Sequence, residues 1–214
     1  MTHSSPTEQL VEDAAAIYFD AIGAIVKRGV EIDDAGERSA ATDVLLKGRL
    51  SAALHRLNPD LPHDAVEEVV RILSRPPHPT LIQNNRWFHA QLTDGVEIEY
   101  RDARSGRSDG ELRGGRARLI DFDDPAANQL LVVRQLSVAA ASGKFIRPDL
   151  TVFLNGLPIA VIELKDPTDT QADLNAAIDQ LDRYAQSVPD LFIPNVLLAV
   201  SDGLLTREIG RAHV

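Results

Sequence analysis

The sequence predicts an α/β fold, a mixed central sheet flanked by helices, from three observations. Residues 149–165 place two apolar, β-rich runs around Asn155-Gly156, the dipeptide signal of a β-hairpin. The stretch from Leu157 to Val200 then reads strand, helix, buried strand, a unit that sets the last strand parallel to the second hairpin strand. The first 75 residues instead repeat apolar side chains at helical spacing between proline stops.

The elements follow in order. Ser5-Pro6-Thr7-Glu8 is a capping box with proline at the first helical position, and Leu10, Ala14, Ile17, Ala21 and Ile25 continue at helical spacing. Glu8 and Glu12 lie on this helix one turn apart, and a solvated face suits Glu8 best. A second helix is expected within Glu37 to Leu57, stopped by Asn58-Pro59, and a third from Leu61-Pro62 to Leu73, stopped by Arg75-Pro76-Pro77. From Thr80 the pattern is mixed and then β, with Trp87 and Phe88 read as core and Val96–Tyr100 as a half-buried strand. Asp102 to Gly115 is rich in Gly, Ser and Arg and reads as a loop. Arg101, Arg104, Arg107, Arg113, Arg116 and Arg118 gather positive charge there, as a solvated loop or as phosphate contacts. Strands are expected at Arg118–Asp121 and Leu130–Val138, joined by a turn or helix start at Phe122–Pro125. Thr168 to Gln186 is helical with Leu174, Ala177, Ile178, Leu181 and Ala185 toward the core, and Val196–Val200 is a buried strand.

Three charges interrupt the apolar hairpin: Asp149 at its entry, then Glu163 and Lys165, which share a strand face. Burying them uncompensated would cost several kcal/mol each, so they need a reason. A two-residue loop at Asn155-Gly156 pairs Leu154 with Leu157 and would set Asp149 opposite Ile162, on the wrong face. A three-residue loop through Leu157, with Gly156 at positive φ, or an equivalent bulge, sets it opposite Glu163; this second register is the one expected. Two carboxylates and a lysine brought together suit metal-assisted phosphodiester hydrolysis. The carboxylates hold Mg²⁺, which activates water and polarises phosphate, and Lys165 positions the water or offsets charge on phosphorus. Pro-Asp, a spacer and Glu-x-Lys is the nuclease pattern PD-(D/E)xK. Gln180 and Tyr184, four apart on the following helix, share a face; they are either a surface Gln and a boundary Tyr or polar tips aimed at the site or at DNA.

Composition bounds the rest. The 214 residues suffice for one sizeable domain, with 44% hydrophobic and 25% charged residues. No cysteine is present, so disulfides and thiolate metal sites are excluded, in keeping with a cytoplasmic location. No apolar run is long enough for a membrane span, and the first residues lack the pattern of a signal peptide. A formal net charge of −10 argues that this chain alone does not grip DNA strongly. None of the six histidines forms a metal-ligand pair at helical spacing, and no Gly-x-x-x-x-Gly-Lys-Ser/Thr occurs.

Several stretches in this order resemble the N-terminal nuclease region of the R subunit of type I restriction enzymes, within the PD-(D/E)xK superfamily. They are Val11-Glu12, Leu57-Asn58-Pro59, Asn85–His89, Asp94-Gly95-Val96, Leu119–Phe122, Arg147-Pro148-Asp149, Asn155–Pro158, Ile162–Lys165, Gln180 with Tyr184, and Ser201-Asp202-Gly203. The resemblance runs from about Glu8 to Arg207 and implies a restriction-endonuclease-like fold. It implies Mg²⁺-dependent cleavage of double-stranded DNA with Asp149 and Glu163 as metal ligands, Lys165 as the catalytic lysine and Gln180 and Tyr184 as a helix motif beside the site. Glu12 is implied as an accessory acidic residue and a candidate third metal ligand. Partners implied by the family are the modification and specificity subunits, with no membrane. Family members continue into two helicase-like ATPase domains, so ATP belongs to the full-length parent and not to these residues. A single nuclease domain over 1–207 is expected, and residues 208–214 resemble a translated sequencing adapter, hence an artificial tail on a truncated chain. The rival readings are a stand-alone nuclease of this superfamily and a non-catalytic remnant that docks the modification subunits.

Overall fold

The computed structural model describes residues 6–102, 111–140, 142–166 and 172–210. The Ser5 cap, Arg104 and Arg107, the side chains of Glu8 and Leu174, and residues 211–214 lie outside them. In chain order the elements are α1 (Pro6–Ala21), β1 (Ile25–Arg28), α2 (Gly29–Asp34), α3 (Lys47–Leu57), α4 (His63–Leu73), α5 (Leu81–Asp94), β2 (Val96–Asp102) and β3 (Glu111–Ala117). They continue as β4 (Leu130–Arg134), β5 (Val138–Ala139), β6 (Phe145–Ile146), β7 (Leu150–Leu154), β8 (Leu157–Leu164), α6 (Ala172–Ser187), α7 (Pro189–Phe192), β9 (Leu197–Ser201) and β10 (Thr206–Gly210).

The central sheet has six strands in the order β1-β4-β7-β8-β9-β10. The pairs β1–β4 and β8–β9 are parallel and the others antiparallel, so the sheet is mixed as the sequence predicts. The strand–helix–strand unit β8-α6-β9 sets Glu163 beside Val200 in parallel register. Alternation along the strands sorts the core. Leu131, Val133, Phe153, Val161 and Val200 pack with Ala177 and Leu181 of α6 on one face. Val132, Leu150, Val152, Ala160 and Leu164 face Val11, Ala15 and Phe19 of α1 on the other. A third cluster ties α3, α4 and α5 to the β2–β3 hairpin. Among the described residues no helix is long and apolar enough to cross a membrane.

The structure corrects several expectations about elements. On α1 the core stripe is not Leu10 and Ile17, which are exposed, but the side holding Glu12 and Ala16; the helix is turned so that Glu12 meets Arg134. Residues 37–46 are irregular, and α3 begins at Lys47. The stretch from Thr80 is a 14-residue helix capped by the Thr80 hydroxyl. Glu111 to Ala117 is a strand and not part of a loop, because β2 supplies its ladder partner, whereas Arg118–Asp121 forms no strand. β4 stops at Arg134, since Gln135 turns the chain at φ 52°. β10 forms an edge of the sheet, with Glu208 opposite Ala199 and Gly210 opposite Leu198.

The hairpin register is reached by the bulge and not by the three-residue loop. Asn155 and Gly156, at φ 53° and 84°, form a two-residue turn that pairs Leu154 with Leu157. Phe153 then faces Pro158, but Val152 faces Ala160, so Ile159 is the extra residue of a β-bulge. Pro158 has no N–H to give the ladder, and a bulge is where a central strand tolerates it. Beyond the bulge Leu150 faces Ile162, and one further residue brings Asp149 opposite Glu163.

Candidate active site

The carboxyl ends of β1, β4, β8 and β9 lie at one end of the sheet, together with the entry to β7. In α/β sheets ligands gather outside the carboxyl ends of strands. Asp149 stands just before β7, and its Oδ2 accepts the Leu164 N–H at 2.7 Å, which fixes the carboxylate against β8. Its backbone carbonyl is held by the Gln135 N–H at 2.9 Å. Glu163, on the same face, is 2% exposed, and Lys165 follows two residues on with Nζ 3.5 Å from Glu163 Oε1.

α6 closes this face with the two polar residues one turn apart. Gln180 donates through Nε2 to Glu163 Oε1 and, at 2.6 Å, to the Tyr184 hydroxyl, while its Oε1 accepts from Lys165 Nζ at 3.3 Å. The Tyr184 hydroxyl in turn donates to the Arg147 carbonyl at 3.4 Å. One amide thus ties the glutamate, the lysine and the tyrosine together.

The electrostatics follow from burial. Glu163 is pushed up to about 8, first by desolvation and then by the Asp149 carboxylate, against the pull of Lys165. Tyr184 is pushed up to about 12 by burial and by the Glu163 charge, so it stays a neutral phenol donor at ordinary pH. Glu163 Oε2 is buried and has no hydrogen-bond partner. A buried oxygen left without a donor, beside a second carboxylate, fits a hard divalent cation that prefers oxygen ligands. Asp149 and Glu163 are the residues that would hold it. Among the described residues no three histidine or acidic side chains converge as a complete ion cage. Such an ion would therefore keep several waters, as Mg²⁺ commonly does.

Glu12 lies apart from this pair in its bonding. α1 covers the opposite face of the sheet, and both Glu12 oxygens are engaged, Oε1 by Arg134 Nε at 2.7 Å and Oε2 by Gln135 Nε2 at 2.9 Å. The described arginines near β3 are also engaged, Arg113 with Glu111, Arg116 with Glu97 and Arg118 with Asp121. Sequence reasoning missed Arg134, Gln135 and Arg147 as neighbours of the site. The only available signal was two polar residues ending an apolar strand and an arginine leading into Pro148-Asp149.

The family described as Type I restriction enzyme R protein N terminus matches residues 6–211. The Type I restriction enzyme HindI endonuclease subunit of Haemophilus influenzae is 35% identical over 170 residues, covering 79% of this chain and 16% of that protein. A Methanocaldococcus jannaschii protein, provisionally named the type I restriction enzyme MjaIXP endonuclease subunit, is 32% identical over 203 residues, 94% of this chain and 19% of its own length. The chain thus spans less than a fifth of the length of either relative.

Proposed function

This chain belongs to the family of type I restriction enzyme R protein N termini, and from that premise we propose that it is the Mg²⁺-dependent nuclease module that cuts double-stranded DNA in an ATP-dependent type I restriction-modification complex. The observation that carries this reading is the bulge at Ile159, which brings Asp149 opposite Glu163 with Lys165 at hand. Two like charges in a buried place oppose each other's ionisation, and a cation held by Asp149 and Glu163 would offset that conflict.

Asp149 and Glu163 would hold the ion, and the bound ion supplies an activated water and a polarised phosphate oxygen. The Leu164 N–H keeps the Asp149 carboxylate in its rotamer, and the Gln180 amide fixes Glu163 Oε1, leaving Oε2 for the ion. Lys165 offers a positive, half-buried ammonium where charge develops on the phosphoryl oxygens, oriented by Gln180 Oε1. Tyr184 holds Gln180 in place and links α6 to the strand entry at Arg147. ATP hydrolysis, and most of the hold on DNA, fall to the longer parent protein and to the modification and specificity subunits, which accommodates a net charge of −10 here.

The test is Lys165→Ala in the complex assembled from the full-length subunit. Cleavage should drop by roughly 10²-fold or more, while Mn²⁺ affinity and folding are kept, since lysine acts on the transition state and not on the ion. Retained cleavage would reject this role for Lys165.

A further inference from the structure

A groove of about 350 Å³ adjoins the carboxylate pair at the same end of the sheet, over the carboxyl ends of β1 and β4. Arg28, Arg134 and Arg147 line it, together with Glu12 and Asp33. The acids are already committed: Glu12 to Arg134 and Gln135, and Asp33 to Arg38, whose buried Nη2 also donates to the Ser137 carbonyl behind the wall. Arg134 is committed in the same way, to Glu12 and Asp13. Arg28 and Arg147 remain, and among the described residues neither guanidinium has a carboxylate partner. Two unneutralised guanidinium groups facing one groove are out of keeping with a protein of net charge −10.

The groove is built and not incidental. A Cβ on Gly29 would stand 2.6 Å from the Gln135 carbonyl and 2.8 Å from Leu136 Cα, so only glycine lets the β1–α2 junction close against the end of β4. Gln135 turns away there at φ 52°, holding Glu12 with its side chain and the Asp149 carbonyl with its N–H. The groove and the site therefore meet at two residues of its lining, Gln135, whose N–H holds the Asp149 carbonyl, and Arg147, whose carbonyl accepts from Tyr184.

We propose that this groove holds a phosphodiester of the DNA strand that flanks the scissile phosphate, with Arg28 and Arg147 gripping it from two sides. The inference rests on the nuclease reading above and adds the element that reading lacks, a local anchor that sets the strand's register over Asp149 and Glu163. Arginine suits the task because its planar fork pairs two phosphate oxygens at once.

Anisotropy of a short labelled DNA duplex against this chain, in chelator and across a salt series, tests it. Arg28→Ala and Arg147→Ala should each weaken binding about tenfold and lower the slope of log affinity against log salt by about one. Arg75→Ala, an exposed cation far from the groove in sequence, should change neither, and Mn²⁺ titrations of the two groove variants should match wild type. Duplex binding unchanged in both variants, or no duplex binding by the wild type even at low salt, would overturn the proposal. So would capture of inorganic phosphate in the groove with duplex binding indifferent to both arginines. Failure of the nuclease reading shows separately, as Mn²⁺ binding that does not depend on Asp149.

Discussion

Glu163 is held in a place that disfavours its charge. Its carboxyl is raised in the folded chain by burial and by Asp149, so the folded state binds a proton that the unfolded state has released. With no ion bound, the stability of the fold should fall as pH rises from about 4.5 toward about 8. Glu163→Gln keeps the shape and the Gln180 contact without the charge. In chelator it should raise the melting temperature at pH 8 while abolishing Mn²⁺ binding; an unchanged or lowered melting temperature would count against burial of a charged glutamate. Glu37 behaves in the opposite sense. Arg49, and then Lys27, hold its carboxyl at about 2. Its contribution is complete above about 4.5 and is lost as pH falls toward 2. Glu37→Gln should cost about 2 kcal/mol at neutral pH and flatten the acid limb of stability between those values, as read by denaturant titration.

At the scale of elements, the β7–β8 hairpin sets the geometry of the site through its tip. Gly156 sits at φ 84°, and a Cβ there would meet the Leu46 carbonyl at 2.6 Å and the Leu50 nitrogen at 2.7 Å, at the start of α3. Gly156→Ala should therefore destabilise by about 2 kcal/mol or more, lowering the melting temperature by roughly 5 °C. A melting temperature matching wild type would mean that the tip does not dock on α3. The hairpin was legible in the sequence because Asn-Gly between long apolar runs has few other solutions. Its turn was not: whether the extra residue sits in the loop or in a bulge depends on Pro158, whose missing N–H matters only once a neighbouring strand is in place. α5 was hidden for a related reason. Asn84 and Asn85 are poor helix formers, but the buried Asn85 amide donates to the carbonyls of Phe192, Ile193 and Asn195, bonds more than a hundred residues away in sequence. β3 was hidden by its glycines and arginines, which form a strand only because β2 pairs with them.

Across the whole molecule, the layers divide the labour. The face covered by α6 carries Asp149, Glu163 and Lys165 with Gln180 and Tyr184, and the face covered by α1 carries the Glu12–Arg134–Gln135 network that shapes the adjoining groove. The fold class and the β8-α6-β9 crossover could be read from periodicity, since long buried strands and one amphipathic helix suffice to specify them. The pairing of Glu12 could not, because a glutamate on a helix shows the same pattern whether it faces solvent or an arginine across the sheet. The most direct test of the central claim is a calorimetric titration of this chain and of Asp149→Ala with Mn²⁺. Saturable binding by the wild type and its loss in the variant are expected, with folding intact by circular dichroism. Equal binding by both would contradict the assignment of the carboxylate pair as the metal site.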